Sequence, residues 1–193
     1  MKIGIIPTIR EIYKNQFELT IDINLINFIK SIFTKSEVII LNNKKERFDY
    51  NLIVISGGNN LINLDKKKDV IRQKLTKHFF KISINENIPI LGICYGAQFL
   101  AKSFNSKIGS KKHVGKHKIY INKLKKKILV NSFHNDVILK LGKNLVKLAE
   151  AEDGTIESFK HKDKKILGIM WHPERNKSIS SFDKKIIKSV LCN

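Results

Sequence analysis

Short apolar runs alternate with longer amphipathic segments through the first half of the chain. The runs at residues 2–7, 37–41, 52–56 and 89–93 are almost wholly apolar and rich in β-branched residues, which predicts strands buried in a sheet. Apolar residues recur at helical spacing over residues 19–33 and 66–84, and residues 97–102 are good helix formers, so three helices are predicted. This alternation indicates an α/β domain with a doubly wound sheet.

The pattern changes after residue 107, where short apolar runs are separated by polar turns. Strands are predicted at residues 117–121, 128–131, 145–150, 155–159 and 166–170, and the short turns between them favour antiparallel pairing. Residues 42–49 are polar and are predicted to form a connector. Because no internal repeat or linker divides the chain, a single domain over residues 1–193 is expected.

Length and cysteine usage indicate the compartment. A chain of 193 residues can bury a substantial core without disulfides. Its two cysteines, Cys94 and Cys192, differ so much in placement that they favour a reducing environment. The N-terminus does not resemble a signal peptide, and no apolar run approaches the roughly 18 residues of a membrane span. We therefore expect a soluble cytoplasmic protein that does not bind membranes.

The formal net charge of +20 raises the question of a nucleic-acid partner. Only Arg10, Arg47, Arg72 and Arg175 are arginines among 37 basic residues, and the lysines are scattered among many asparagines and isoleucines. This distribution favours a compositional bias with solvated lysines over a dedicated nucleic-acid site. The same positive field would attract a small anionic substrate, and we expect that kind of ligand instead.

The strongest chemical signal is a cysteine between two glycines at the end of a predicted strand. Gly92 and Gly96 flank Cys94 at two residues on either side, and helix formers follow. A sharp turn from strand to helix needs small residues at these positions, because Cβ atoms would collide with neighbouring backbone. This pattern predicts a nucleophile elbow, in which the positive end of the helix dipole favours a thiolate.

Two further segments could complete a catalytic site. Gly57 and Gly58 follow a buried strand, so their backbone can approach a ligand closely and present N–H groups to an anion. His172 and Glu174 end another strand on either side of a proline, and extended backbone would place both side chains on one face. Neither cysteine has a partner at the spacing of zinc ligands, so no metal site is expected.

Together these segments resemble the class I glutamine amidotransferase-like superfamily. The motifs that carry the resemblance occur in the family's order and span nearly the whole chain: SGG at 56–58, GICYGAQ at 92–98, HND at 134–136 and GIMWHPE at 168–174. The resemblance implies a three-layer α/β/α, flavodoxin-like domain with a mixed, mostly parallel sheet. It also implies that Cys94 attacks the γ-carbonyl of a glutamine or γ-glutamyl group, while His172 transfers protons and Glu174 orients the imidazole.

The remaining site residues are implied by the same resemblance. The backbone N–H groups of Gly58 and Tyr95 would form the oxyanion hole. Gln98 matches a position that helps to hold the glutamyl group. His134, Asn135 and Asp136 match the part of the site near its α-amino and carboxylate groups. This chemistry requires no cofactor.

Three segments resemble a hydrolase branch of the family. Residues 131–134 and 149–157 resemble enzymes similar to γ-glutamyl-γ-aminobutyrate hydrolase, and residues 19–28 resemble small relatives of bacterial surface-polysaccharide pathways, among them a γ-glutamyl-CDP-amidate hydrolase. The branch implies a hydrolase that releases glutamate from a small γ-glutamyl conjugate.

Two alternatives share the same fold. One is a glutaminase subunit that passes ammonia to a synthase partner. The other is a non-catalytic binding protein, against which the joint presence of Cys94, His172 and Glu174 argues, because a binding scaffold has no need of all three.

Overall fold

A computed structural model describes residues 1–42, 49–62 and 64–192. Most of the predicted connector at 42–49 lies outside the described residues. The strands are β1 (Lys2–Ile6), β2 (Thr8–Tyr13), β3 (Gln16–Thr20), β4 (Glu37–Ile40), β5 (Leu52–Ile55), β6 (Ile90–Ile93), β7 (Lys107–Ile121), β8 (Lys126–Lys140), β9 (Leu145–Ala151), β10 (Ile156–His161) and β11 (Ile166–Ile169). The helices are α1 (Ile23–Ile32), α2 (Lys67–Asn85), α3 (Tyr95–Ser103) and α4 (Ser181–Leu191), and a 3₁₀ turn covers Pro173–Arg175.

Nine of these strands form one sheet in the order β4-β1-β5-β6-β11-β10-β8-β7-β9. The first five strands of that order pair in parallel, whereas β11 pairs antiparallel with β10, and every later pairing in the sheet is antiparallel as well. Because β9 also pairs with β10, strands β10, β8, β7 and β9 close on one another like a small barrel.

The α/β class and the mixed sheet are confirmed, but the expectation of a mostly parallel sheet is wrong. Among the described residues the sheet has four parallel and five antiparallel pairings. The difference arises in the second half of the chain, where β7 and β8 each run for 15 residues and pair along most of their length. Antiparallel hairpins of this kind need only a short turn, while a parallel pair needs a crossover helix.

Helices cover both faces of the parallel part. On one face, Leu25 and Phe28 of α1 and Ile187 of α4 pack against the buried side chains of β1, β5, β6 and β11. On the other face, Phe79 of α2 and Leu100 of α3 pack in a second apolar cluster. Parallel strands buried on both sides explain why their sequences read as continuous apolar runs. No helix among the described residues is both long and apolar enough to cross a membrane.

Three segments differ from the elements predicted from sequence. The helix predicted at 19–33 begins only at Ile23, because Leu19 and Thr20 belong to β3. The side chain of Asp22 caps the helix by accepting a hydrogen bond from the N–H of Asn24. Strands β2 and β3 form a separate two-stranded sheet that the apolar pattern did not indicate. Helix α4 was also missed, although Ser180 caps it and the indole N–H of Trp171 donates to Asp183 within it.

The close approach of α3 to β5 gives a stability prediction. A Cβ atom on Gly96 would lie 2.2 Å from the carbonyl oxygen of Ile55, so Gly96→Ala should lower the free energy of unfolding by about 3 kcal/mol. Gly154→Ala is the control, because its methyl group would meet no atom within 4 Å. Only the strain of an alanine at the positive φ of 81° would destabilise this variant, so its loss of stability should be smaller. Urea unfolding measures both, and equal stability of the two variants would contradict the close approach.

Candidate active site

Cys94 lies at the turn between β6 and α3, at the carboxyl end of the parallel strands. Its backbone has φ +51° and ψ −103°, a conformation that non-glycine residues rarely adopt, and its thiol is almost fully buried. The N–H of Cys94 donates to the carbonyl of Ile169 in β11 at 2.8 Å, which fixes the turn to the neighbouring strand. Strained backbone held by surrounding contacts is a frequent feature of functional sites.

Two glycines make this turn sterically possible. Gly96 packs on Ile55 as described above, and a Cβ atom on Gly92 would lie 2.5 Å from the carbonyl carbon of Gly96. The first turn of α3 therefore rests directly on β5 and β6. This is the geometry predicted for a nucleophile elbow, and it leaves the N–H of Tyr95 in the first helical turn, where the N–H groups have no intrahelical partner.

His172 and Glu174 meet close to this turn. Nδ1 of His172 and Oε1 of Glu174 are 2.6 Å apart, and both side chains are buried. Their backbone is not extended as expected, because Pro173–Arg175 form a 3₁₀ turn with an N–H from Arg175 to the carbonyl of His172. The 3₁₀ turn brings the Glu174 carboxylate to the His172 imidazole. The predicted contact therefore forms through a turn and not through extended backbone.

The environment of His172 changes its protonation. Burial lowers the pKa of the imidazole, but hydrogen bonding with Cys94 and Glu174, together with their negative charges, outweighs burial and raises the pKa to about 9. A Cβ atom on Gly57 would lie 2.6 Å from Cε1 of His172 and 3.5 Å from Cβ of Cys94, so the glycine, the imidazole and the cysteine are in direct contact. An imidazolium beside a thiol is the partner that stabilises a thiolate.

Asn131 on β8 holds the backbone of His172 in place and was not assigned a role from the sequence. Its side-chain carbonyl accepts from the N–H of His172 at 2.8 Å, and its amide donates to the carbonyl of His172 at 2.7 Å. The amide also donates to the side-chain oxygen of Asn176 at 3.1 Å. The position of the imidazole therefore depends on the antiparallel part of the sheet. No sequence pattern marks a pairing across 41 residues.

A second residue outside the predicted site is Thr8, at the start of the hairpin. Its hydroxyl donates to the carbonyl of Gly57 at 2.8 Å. In a planar trans peptide the C=O and the following N–H point in opposite directions, so this bond turns the N–H of Gly58 away from Thr8. Gly58 itself has φ +83°. The contact thus fixes the orientation of one of the two N–H groups expected to form an oxyanion hole.

The predicted substrate-binding residues line a small cavity above Cys94. Its volume is about 180 Å³, and its wall includes Gly58, Cys94 and His172 from the site described above, with Gln98, His134, Asn135 and Asp136 from the predicted set. The amide of Gln98 donates to the backbone carbonyl of Asp136 at 2.9 Å, which ties α3 to β8. The structure therefore brings the predicted residues together. His134, Asn135 and Asp136 lie within β8, however, beyond the end of the strand predicted at 128–131.

The imidazole of His134 is enclosed by the protein. Burial lowers its pKa to about 4, although the nearby carboxylate of Glu157 partly opposes this, so the ring is neutral at physiological pH. Phe133 beside it is half exposed and contacts the ring of His172 edge-on, with 5.8 Å between centroids. Cζ of the Arg175 guanidinium lies over the ring of Phe133, 5.0 Å from the ring centroid.

A larger cavity of about 490 Å³ adjoins the small one, and Gly58, His172 and Arg175 line both. The hairpin contributes Thr8, Arg10 and Thr20, while α1 contributes its capping residue Asp22 and Leu25. Two arginines thus face this space. Two carboxylates also line it, and Asp22 and Glu174 each place an oxygen 3.9 Å from Nε of Arg175.

Comparison with known proteins identifies the family. The sequence model of the family described as glutamine amidotransferase class-I matches residues 15–192. The chain belongs to this family. A solved glutamine amidotransferase from Thermotoga maritima aligns with 90% of this chain and 76% of its own, with a TM-score of 0.66 and 18% identity, which shows a shared class-I amidotransferase fold.

Two curated relatives of this chain are named by an activity. A gamma-glutamyl-CDP-amidate hydrolase of Campylobacter jejuni is 45% identical over 135 residues, which are 67% of this chain and 64% of the relative. A glutamine-hydrolysing GMP synthase subunit from Methanosphaera stadtmanae is 31% identical over 131 residues, or 63% of this chain and 64% of that protein. The matched regions span less than two thirds of these relatives' own lengths.

The pKa of His172 can be tested directly. Glu174→Gln removes the carboxylate charge that favours the imidazolium, so the pKa of about 9 in the parent should fall by about 1. Histidine-labelled protein titrated by NMR gives the value. His134 is an internal reference, because its pKa of about 4 has burial as its main cause and should stay unchanged. An unchanged pKa of His172 would show that Glu174 does not charge-pair with it.

Proposed function

We propose that this member of the family is a cysteine-dependent hydrolase that cleaves the γ-glutamyl amide bond of a small anionic conjugate and releases glutamate. It acts as a single catalytic domain in the cytoplasm. The observation that carries the proposal is the position of His172 at the junction of two cavities. The small one holds Cys94 and the side chains of Gln98, Asn135 and Asp136, and the larger one adds Arg10 to the Arg175 that both share. A γ-glutamyl amide has the same two-part shape about its scissile bond.

The first half of the reaction forms a thioester. The thiolate of Cys94 attacks the γ-carbonyl carbon while the glutamyl group lies in the small cavity. The negative charge that develops on the carbonyl oxygen is stabilised by the N–H groups of Gly58 and Tyr95. His172 is protonated at neutral pH and gives its proton to the leaving nitrogen as the C–N bond breaks, and Glu174 stabilises the imidazolium until that step.

The second half hydrolyses the thioester. Neutral His172 takes a proton from water, the resulting nucleophile attacks the same carbonyl carbon, and the oxyanion again lies between the two N–H groups. Cleavage of the C–S bond releases glutamate and restores the thiolate beside the imidazolium. Gln98, His134, Asn135 and Asp136 form the wall that holds the glutamyl group through both halves.

The leaving group occupies the larger cavity in this proposal. The guanidinium groups of Arg10 and Arg175 suit a phosphate or carboxylate, because arginine presents several N–H donors in a planar fork. The net charge of +20 adds a long-range attraction for anions. The similarity to the Campylobacter gamma-glutamyl-CDP-amidate hydrolase supports the same class of substrate, and a nucleotide amidate is one candidate.

A panel of γ-glutamyl substrates tests the proposal. Glutamine, γ-glutamyl-γ-aminobutyrate and a γ-glutamyl nucleotide amidate are each incubated with the protein, and glutamate release is measured. We expect kcat/KM to be highest for an anionic conjugate and to be lost in Cys94→Ala, which keeps both glycines of the elbow. Labelling by an electrophilic glutamine analogue should occur at Cys94 and not at Cys192.

The panel also separates the alternatives. Hydrolysis of glutamine at least as fast as of any conjugate, or activity that requires an added synthase partner, would support the glutaminase-subunit function of the GMP synthase relative. Binding of the conjugates without glutamate release would support a non-catalytic protein of the same fold.

The role of Thr8 gives a prediction about the oxyanion hole. Thr8→Val keeps the shape of the side chain but removes the hydroxyl that holds the Gly57 carbonyl, so kcat should fall by about 10-fold because one donor is less well oriented. KM should change little, since the lost interaction acts mainly in the transition state. Thr20→Val is the control: this threonine pairs with Thr8 across the hairpin and lines the same cavity. An equal loss of kcat in both variants would contradict the role of Thr8.

The role of Arg10 gives a prediction about substrate choice. Arg10→Gln should lower the ratio of kcat/KM for an anionic conjugate over that for glutamine by about 10-fold, because a charge-assisted contact contributes roughly 1.5 kcal/mol. Lys14→Gln removes the same charge from the tip of the same hairpin, away from the cavity, and should have a much smaller effect that added salt abolishes. If both variants lowered this ratio equally, the preference for anionic conjugates would arise from the protein's overall positive charge and not from a contact with Arg10.

A further inference from the structure

Three histidines and a glutamate meet inside the antiparallel part of the sheet, and none of the reaction steps above uses their polar atoms. His113 and His117 lie on β7, His134 on β8 and Glu157 on β10; these four residues are called the His-Glu cluster. Oε1 of Glu157 lies 3.4 Å from Nδ1 of His113, 3.5 Å from Nε2 of His117 and 3.8 Å from Nε2 of His134.

These polar atoms are buried without adequate partners. Glu157 is 1% exposed and His134 is 5% exposed. Among the described residues, Nε2 of His117, Nε2 of His134 and Oε2 of Glu157 have no hydrogen-bond partner. A hydrogen bond between such groups would be 2.7–3.2 Å long, shorter than any of the three distances around Oε1. Nδ1 of His113 and Oε1 of Glu157 are within reach of one long hydrogen bond, but the three unpartnered atoms lose solvation without gaining one, which calls for an additional group near them.

The distances match those between ligands of one metal ion. Two ligand atoms that each lie 2.0–2.1 Å from a tetrahedral zinc ion are about 3.4 Å apart. Imidazole nitrogens and one carboxylate oxygen are donors that zinc accepts. The ligand atoms of His113, His134 and Glu157 all lie within 4.8 Å of one another. We propose that these three residues of the His-Glu cluster bind one Zn²⁺ ion.

The surroundings of His113 support this assignment. Its other ring nitrogen, Nε2, lies 2.9 Å from Oδ2 of Asp153, and that carboxylate also pairs with Lys111 at 2.6 Å. A proton on Nε2 donated to Asp153 leaves the lone pair of Nδ1 directed at the cluster. Metal-binding histidines commonly have their second nitrogen held by a carboxylate in this way.

The ion would have a path to the cluster and a structural effect there. A cavity of about 280 Å³ lined by His113, His117 and Asp153 leads to it from the surface. The bound ion would join β7, β8 and β10, and β8 carries both Asn131, which holds His172, and the wall of the small cavity. Zinc binding would therefore stabilise the scaffold of the active site without taking part in the reaction.

The expectation of no metal rested on cysteine spacing alone. The four residues of the His-Glu cluster come from three strands, and only the pairing of β7 with β8 makes His113 and His134 direct neighbours across the sheet. Such a ligand set has no short sequence signature.

The metal content of a thiol-free protein tests the proposal. The Cys94→Ala, Cys192→Ser double variant removes both thiols, the other strong zinc ligands of the chain. After EDTA treatment and dialysis it is titrated with Zn²⁺ against a chromophoric chelator, and with Co²⁺ followed by visible absorption. We expect one ion per chain and the intense absorption bands of tetrahedral Co²⁺. No bound ion, or an octahedral Co²⁺ spectrum, would overturn the proposal.

Substitutions in the same background locate the ion. Glu157→Gln and His134→Gln should each weaken zinc binding by at least about 100-fold, and Asp153→Asn, which keeps all three ligands, by about 10- to 100-fold. His78→Gln on α2 is the control and should keep the parent affinity. Far-UV circular dichroism checks that each variant is folded. If a ligand variant unfolds, the zinc affinity of Asp153→Asn decides the test. Parent affinity in Asp153→Asn, or in a folded Glu157→Gln, would place the ion elsewhere and overturn the proposal.

Discussion

The positive φ of Cys94 is the constraint on which the rest of the site depends. Holding a non-glycine residue in such a conformation costs about 1–3 kcal/mol, and the cost is offset only while the surrounding contacts persist. Those contacts are the close packing of α3 against Gly92 and β5, and the hydrogen bond from the N–H of Cys94 to the carbonyl of Ile169. Since Ile169 ends the strand that leads to His172, one turn fixes the nucleophile and the start of the segment that carries the imidazole.

A buried arginine connects this turn to the glycine segment on its other side. Arg72 of α2 is fully buried, donates from Nη2 to the carbonyl of Ser56 at 2.9 Å and lies 5.0 Å from the ring centroid of Tyr95. Burial lowers its pKa to about 10, so the guanidinium stays charged at neutral pH. A buried cation is costly unless it is held by polar contacts. It therefore links Ser56, the residue before Gly57, with the side chain of Tyr95, the residue after Cys94.

Much of the parallel part of the fold could be predicted from the sequence, because its strands are buried on both faces and read as apolar runs. The Cys94 turn was predictable for the same reason, together with its two glycines. The hairpin at β2 and β3 was missed because most of its residues are exposed, although Asn15, with φ +64°, occupies its tight turn. Contacts that cross long stretches of chain, such as Asn131 with His172, leave no local pattern, so they emerged only from the structure.

The two cavities differ in which parts of the chain build them, and under the proposed function this separates chemistry from selectivity. The small cavity is built largely by the elbow and β8, which carry family motifs, whereas the hairpin and the start of α1 contribute only to the larger one, beside residues 56–58 and 172–175. Thr8 belongs to both systems, because it lines the larger cavity and fixes the Gly57–Gly58 peptide. A leaving group that contacts the hairpin would therefore also steady an oxyanion donor. Such a group would raise kcat as well as improve binding, which only a conjugate, and not free glutamine, can achieve.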